Sequence, residues 1–165
     1  MSKEQRSEIY AAGGQLMDEK DFAILRLLQD NAKMTIRELA DAIHLSTTPV
    51  YERIRKMESS GVIEKYTTLI NRRMIGKGLL VLCYISLRQH SKKEGAKFIA
   101  LIEQMDEVIE CYSISGEFDF MLKVAVKDMN SYYDFHVNKL GQAENIGHLQ
   151  SIFVMGVIKE SSVRP

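Results

Sequence analysis

The chain has 165 residues, of which 45% are hydrophobic and 27% charged, and its 22 basic residues balance 22 acidic ones. This composition is ordinary for globular protein of one or two domains. No apolar run approaches the roughly 20 residues needed to span a bilayer, the opening MSKEQRSEIYAAGGQ lacks the apolar core of a signal peptide, and Cys83 and Cys111 make no disulfide framework, so a cytoplasmic protein without a membrane partner is expected.

Residues 1–16 show no periodicity and read as an N-terminal tail. A first helix is expected from about Asp18 to Gln29, with Met17, Ile24 and Leu28 on one side and Asp18, Glu19 and Asp21 in the first turn, where negative charge suits the helix dipole. A second helix begins after Thr35, an N-cap with Glu38 three residues on. Its stripe is Ile36, Leu39, Ala40 and Ile43. His44-Leu45 forms a turn, and Ser46 opens a third helix, its hydroxyl placed to cap the Thr48 N–H. Pro49 sits in the first turn, where a missing N–H costs no helical bond.

On this third helix Val50, Ile54 and Met57 face inward. At about 100° per residue, Thr48, Glu52, Arg55 and Ser59 face out, flanked by Tyr51 and Lys56, with Arg53 at the edge. Gly61 ends the helix, and the β-branched VIEKYTTLIN (62–71) reads as a strand pair or wing. From Ser46 to Arg73 there are six basic residues against three acidic ones, whereas the rest of the first 73 residues has six against eight. Positive charge thus gathers around the third helix, in a helix-turn-helix pattern that reads double-stranded DNA. The expected contacts are Ser46, Thr47, Thr48, Pro49, Tyr51, Glu52, Arg53, Arg55 and Lys56, with Lys65 of the wing on phosphate.

From Leu79 the pattern becomes strand–helix–strand–strand–helix–strand: 79–87, 92–104, 108–114, 118–126, a helix capped by Asp128 with the stripe Met129, Tyr132, Tyr133, His136 and Leu140, and 149–158. That order predicts a ferredoxin-like fold with both helices on one face. Phe118, Phe120, Leu122, Val124 and Val126 should pack under the helices. The first and last strands are apolar on both faces, so the bare face should meet a second copy, as a homodimer. The fold class is therefore α+β, an N-terminal winged helix-turn-helix domain (17–62) joined through a wing or linker (63–78) to a ferredoxin-like βαββαβ effector and oligomerisation domain (79–160), with 161–165 as a tail.

Residues 17–71 resemble the DNA-binding half of the leucine-responsive/asparagine-regulator (Lrp/AsnC) transcription factors. The family's Leu-Asp-x-x-Asp appears as Met17, Asp18 and Asp21, with a conservative departure at Met17. Glu38–Ala40 match its Glu-Leu-Ala, and Gly61–Tyr66 its Gly-Val-Ile-x-x-Tyr. SGEFDFMLKV (115–124) resembles the Gly-x-x-Asp-aromatic signature of the effector domain. The resemblance implies dimers that assemble further, often into octameric rings. It also implies a small effector, usually an amino acid, bound between effector domains near the second hairpin. By motif its site is Gly116, Glu117 and Asp119, with Gln150 and Ser151 on the last strand. Independently, Gly116 permits a tight turn, and Asp119 interrupts an apolar strand, where it either receives an ammonium group or caps the hairpin.

No metal site, cofactor or catalytic group is expected. The four histidines lack ligand spacing, His136 lies on an apolar stripe, and no phosphate loop or dinucleotide fingerprint occurs. An effector-responsive, sequence-specific DNA-binding regulator is the favoured reading. One alternative is an enzyme on the same scaffold, resembling haem-precursor decarboxylases, but only Arg88 and Arg164 are available in that half for a tetrapyrrole cleft. The other is an architectural, DNA-compacting protein.

Overall fold

The computed structural model describes residues 9–11, 15–160, 163 and 165. The chain forms two compact units, one running to Leu69 and including residues 161–165, the other Ile70–Glu160.

The first unit opens with a short antiparallel pair, β1 (Ile9–Ala11) and β2 (Gln15–Met17), in register Ile9↔Met17. The sequence reads as a tail here because three residues per strand leave almost no alternation to detect; the remainder of 1–16 lies outside the described residues. Helix α1 (Glu19–Asp30) starts with a reciprocal cap: Asp18 Oδ1 accepts the Lys20 and Asp21 N–H groups, and Asp21 Oδ2 accepts the Asp18 N–H at 3.0 Å. Helix α2 (Ile36–Ile43) repeats the device with Thr35 and Glu38. It ends at His44 in the left-handed region, φ 55°, and the Leu45 N–H then reaches back to the Ala40 carbonyl.

Helix α3 (Thr47–Ser59) closes the unit. Ile24, Leu39, Val50 and Met57 are completely buried where the three helices meet. Gly61, at φ +78°, turns the chain away. The C-terminus does not hang free: Gln29 Nε2 donates to the Val163 carbonyl at 2.7 Å and Arg26 Nη1 to that of Pro165 at 3.2 Å. Residues 62–71 form no strand. Residues 64–71 have no regular structure and are exposed, and among the described residues no ladder partner lies beside them. The composition of a strand is present, but a strand needs a neighbour to take its backbone hydrogen bonds.

The second unit is β3 (Leu79–Leu87), α4 (Lys92–Ile102), β4 (Val108–Ser113), β5 (Phe120–Val126), α5 (Met129–Asp134) and β6 (Ile146–Phe153). The sheet is antiparallel throughout in the order β4-β5-β3-β6, as the ferredoxin-like pattern requires. Val81, Cys83, Leu122 and Val124 face the helices and are fully buried with Phe135 and Leu140.

Four details differ from expectation. Beyond α5 the chain adds a wide π turn (Phe135–Lys139). Its longer repeat pairs Phe135 with Leu140 in the core, while on α5 itself only Tyr132 of the expected stripe is buried and Met129 and Tyr133 are exposed. Ile99 of α4 is 42% exposed, because the helix ends at Ile102 and seats only Phe98 and Ile102. Strand β6 spans 146–153, starting and stopping earlier than its apolar run suggested. Phe118 leaves the helix face, since the backbone breaks its alternation at Asp119, and its ring lies 5.5 Å from that of Tyr84 and 5.6 Å from His148.

One ion cluster ties α3 to the start of α1. Arg53 Nη1 lies 2.7 Å from Asp21 Oδ1 and 2.8 Å from Asp18 Oδ2. Burial alone would raise the Asp18 carboxyl, but the Asp21 N–H and the Arg53 guanidinium hold it below its ordinary value. A lowered carboxylate stabilises the fold above its unfolded pKa and loses that contribution as pH falls. Arg53→Ala is expected to cost ~1–2 kcal/mol in urea unfolding, and Asp18→Ala ~1 kcal/mol through the lost cap. The Asp18 difference should shrink as pH falls below about 4; equal penalties at neutral and acid pH would contradict this account.

Candidate functional site

The outer face of α3 is built for an anionic partner. Ser46, at φ −78° and ψ 163°, has the backbone of an N-cap but makes no side-chain cap bond, contrary to expectation. Pro49 removes one of the donors, and the first turn holds no acidic side chain. The Ser46, Thr47 and Thr48 hydroxyls are exposed together at this helix N-terminus, where unpaired N–H groups and the helix dipole favour negative charge. Tyr51, Glu52, Arg55 and Lys56 are exposed on the following turns, and Pro49 is half-buried. Among the described residues no ion pair engages Arg55 or Lys56. Arg53 differs, being turned back onto Asp18 and Asp21. Lys65 is exposed on the segment after α3, and beside it the Tyr66 hydroxyl donates to Glu58 Oε1 at 2.9 Å.

The second candidate site is the loop between β4 and β5. Gly116 sits at φ +125°, and a Cβ there would meet nothing within 4 Å, so the backbone angle rather than crowding calls for glycine. The end of β3 braces this loop. Ser86 Oγ donates to the Glu117 carbonyl at 2.8 Å, and the Asp119 N–H to the Ile85 carbonyl at 2.9 Å. The Leu87 N–H donates to Asp119 Oδ2 at 2.7 Å, while His90 Nδ1 lies 3.1 Å from Oδ1. Asp119 is thus first a hairpin latch, with one oxygen engaged from the end of β3 and the other by His90 in the loop that follows.

Gly116, Glu117 and Asp119 therefore share one braced loop. Gln150 and Ser151 do not join it as a pair. Gln150 lies opposite Tyr84 on the bare sheet face. Ser151 lies opposite Cys83 on the helix face, where its hydroxyl meets that of Tyr132, which in turn is 3.3 Å from Cys83 Sγ. Burial pushes both the Tyr132 phenol and the Cys83 thiol up, so both stay protonated. Ser86, His90 and Tyr84 were not expected at this loop; nothing in their spacing marks them, and the β3–β5 register Ile85↔Phe120 brings the end of β3 there. No group of three or more metal-ligating side chains occurs among the described residues.

Residues 17–64 match the winged helix-turn-helix DNA-binding family, and residues 80–163 match the Lrp/AsnC ligand binding domain. The glutamate uptake regulatory protein of Zymomonas mobilis is 34% identical over 149 residues, covering 90% of both chains. The leucine-responsive regulatory protein of Rhizobium meliloti is 32% identical over 145 residues, 88% of this chain and 93% of that one. Among solved structures, an AsnC family transcriptional regulator from Agrobacterium tumefaciens superposes with a TM-score of 0.86 at 33% identity, covering 90% of this chain and 97% of that one. A transcriptional regulator from Neisseria meningitidis, solved as a complex with L-Met, gives 0.86 at 29% identity, covering 90% and 96%. With a DNA-binding helix-turn-helix and a ligand-binding domain in one chain, this protein belongs to the Lrp/AsnC family of DNA-binding transcriptional regulators.

Proposed function

We propose that the chain is a cytoplasmic, non-enzymatic regulator whose effector is an amino acid held at the Gly116–Asp119 loop, and whose working form is a homodimer assembled further to an octamer. The braced loop carries this reading: its backbone is fixed by β3 before any ligand arrives, so a small polar ligand pays little for ordering. The L-Met complex of the Neisseria relative supports the ligand class. Because both Asp119 oxygens already have partners, Asp119 acts chiefly by holding the loop, and Gly116 and Glu117 present the exposed backbone and carboxylate.

The homodimer is supported by the bare sheet face. Leu82, Tyr84, Met121, Ile152 and Val154 gather there around Lys123, which is neutralised by Glu110 at 2.9 Å and Glu160 at 3.1 Å. An apolar face of this kind is stable against an identical one. The octamer follows the family resemblance alone. The regulator relatives, together with a Cys83–Tyr132–Ser151 cluster held protonated, favour a non-enzymatic reading of the buried polar groups.

For DNA, Thr47, Thr48 and Arg55 carry the contact, Tyr51, Glu52 and Lys56 flank it, Lys65 holds phosphate and Arg53 acts as a positioning residue. Arg55→Ala is expected to weaken operator binding by ~1–3 kcal/mol if the guanidinium reads a base, with unchanged thermal stability; unchanged affinity in a fluorescence titration would remove Arg55 from the interface. Lys65→Ala should weaken operator and random DNA alike and lower the salt slope by about one. A thermal-shift screen of the twenty common amino acids, L-methionine included, should find one that stabilises the wild type, by about 2.7 kcal/mol at a hundredfold excess over Kd. Asp119→Asn should lose most of that shift, whereas a full shift in this variant would place the effector elsewhere.

A further inference from the structure

The chain leaves the reading helix along a segment with few internal holds. The Gly61 and Ile63 N–H groups reach back to the Glu58 and Met57 carbonyls at 3.1 and 3.0 Å. From Glu64 to Ile70 no backbone–backbone hydrogen bond occurs among the described residues, and every residue is exposed. One side-chain bond interrupts this run: the Tyr66 hydroxyl donates to Glu58 Oε1, in the last turn of α3, at 2.9 Å. The Tyr66 side chain is 50% exposed where that of Leu69 is 92%. It lines a groove of about 260 Å³ with Leu28, Met34, Ile36 and Ile54, and with Arg55 of the reading helix. Burial and the Glu58 carboxylate hold the phenol above its ordinary value, so it remains a donor.

A half-exposed bond of this kind contributes modestly to stability. Its stronger effect is geometric. Ile63 is fixed on Met57 and Tyr66 on Glu58, so Glu64 and Lys65 are the two residues of a span pinned at both ends to one helix. We infer that Tyr66 is a positioning residue for DNA binding: its hydroxyl, held by Glu58, fixes Lys65 beside the reading helix for contact with phosphate. The inference rests on the assignment of Lys65 to phosphate. Tyr51, Arg55 and Glu58 stand at i, i+4 and i+7, one stripe of α3. The anchor and the outward-facing arginine therefore share a line on the same helix, and Lys65 is tied to that line. A lysine on a free segment gives up chain entropy when it docks, whereas one on a pinned span has given up much of it beforehand.

The test is a double-mutant cycle in the full chain, read as the salt dependence of binding to a mixed-sequence DNA duplex. Tyr66→Phe keeps the ring in its groove and removes only the hydroxyl, and Lys65→Ala removes the phosphate contact itself. Wild type, both single variants and the double variant are titrated well below their melting temperatures, so that fold stability does not enter. Lys65→Ala is expected to lower the slope of log K against log salt by about one, Tyr66→Phe by most of that amount, and the double variant no further than Lys65→Ala. A wild-type slope in Tyr66→Phe, with that of Lys65→Ala reduced, overturns the positioning role alone. Losses that add in the double variant do the same, because Tyr66 then acts on DNA independently of Lys65. An unchanged slope in Lys65→Ala overturns the phosphate assignment and the positioning role with it.

Discussion

The constraint on which the rest of the molecule depends is that its sheet has two apolar faces and only one set of helices. Helices α4 and α5 bury Val81, Cys83, Ile85, Leu122 and Val124, whereas on the other face Leu82, Met121 and Ile152 stay partly exposed. A lone cation at the middle of that face, Lys123, is matched by two carboxylates, with Arg72 balancing the second of them. The polar insert therefore arrives neutralised, which lowers the cost of enclosing it, although an ion pair there contributes little net stability. A second copy on this face, as proposed, would make the protein two-fold, and a two-fold protein can place two reading helices on one duplex.

The DNA-binding unit divides its charges according to the same economy. Arg53 and Arg55 are two residues apart on α3, about 200° around the helix, so they cannot serve one surface. Arg53 reaches inward to Asp18 and Asp21, where it bridges the two carboxylates of the capping box and pins α3 to the start of α1. Arg55 faces out with no ion pair among the described residues. The orientation of the reading helix is therefore set by one arginine, and its outer face is left to the other. A small three-helix core has few contacts to spare for holding such an angle, and a charge-assisted bond between helix ends supplies a direction that packing alone does not.

Much of this was legible in the sequence because the signals were local and strong. The Thr35/Glu38 cap, the stripe Leu39, Ala40 and Ile43, and the strand order of the second unit are each written within a few residues of the elements they specify. What the sequence hid was set by distant partners. Arg53 reads as one more cation of a basic helix until α1 is folded beside it. Phe118 reads as the next residue of an alternating strand until Asp119 takes its bonds from β3 and turns the backbone. Ser151 reads as a neighbour of Gln150, and the pleat sends the two to opposite faces. The π turn at Phe135–Lys139 has no marker in composition, and it carries Phe135 into the core beside Leu140.

The assembly also matters for how an effector could act at all. A ligand moves an equilibrium only by its differential affinity for the two states. Coupling between two sites is typically worth ~1–3 kcal/mol, and reversing a population from 1:99 to 99:1 takes about 5.5 kcal/mol. A loop of a few residues, binding one amino acid through backbone groups and a carboxylate, falls in the first range and not the second. One copy with one such loop would therefore grade its DNA affinity modestly. Several copies that change state together sum their contributions, so a symmetric assembly turns a weak ligand preference into a switch. On this reasoning an assembly through the bare sheet face, which looks like a packing problem in a single chain, would give the proposed effector site enough leverage to govern DNA binding.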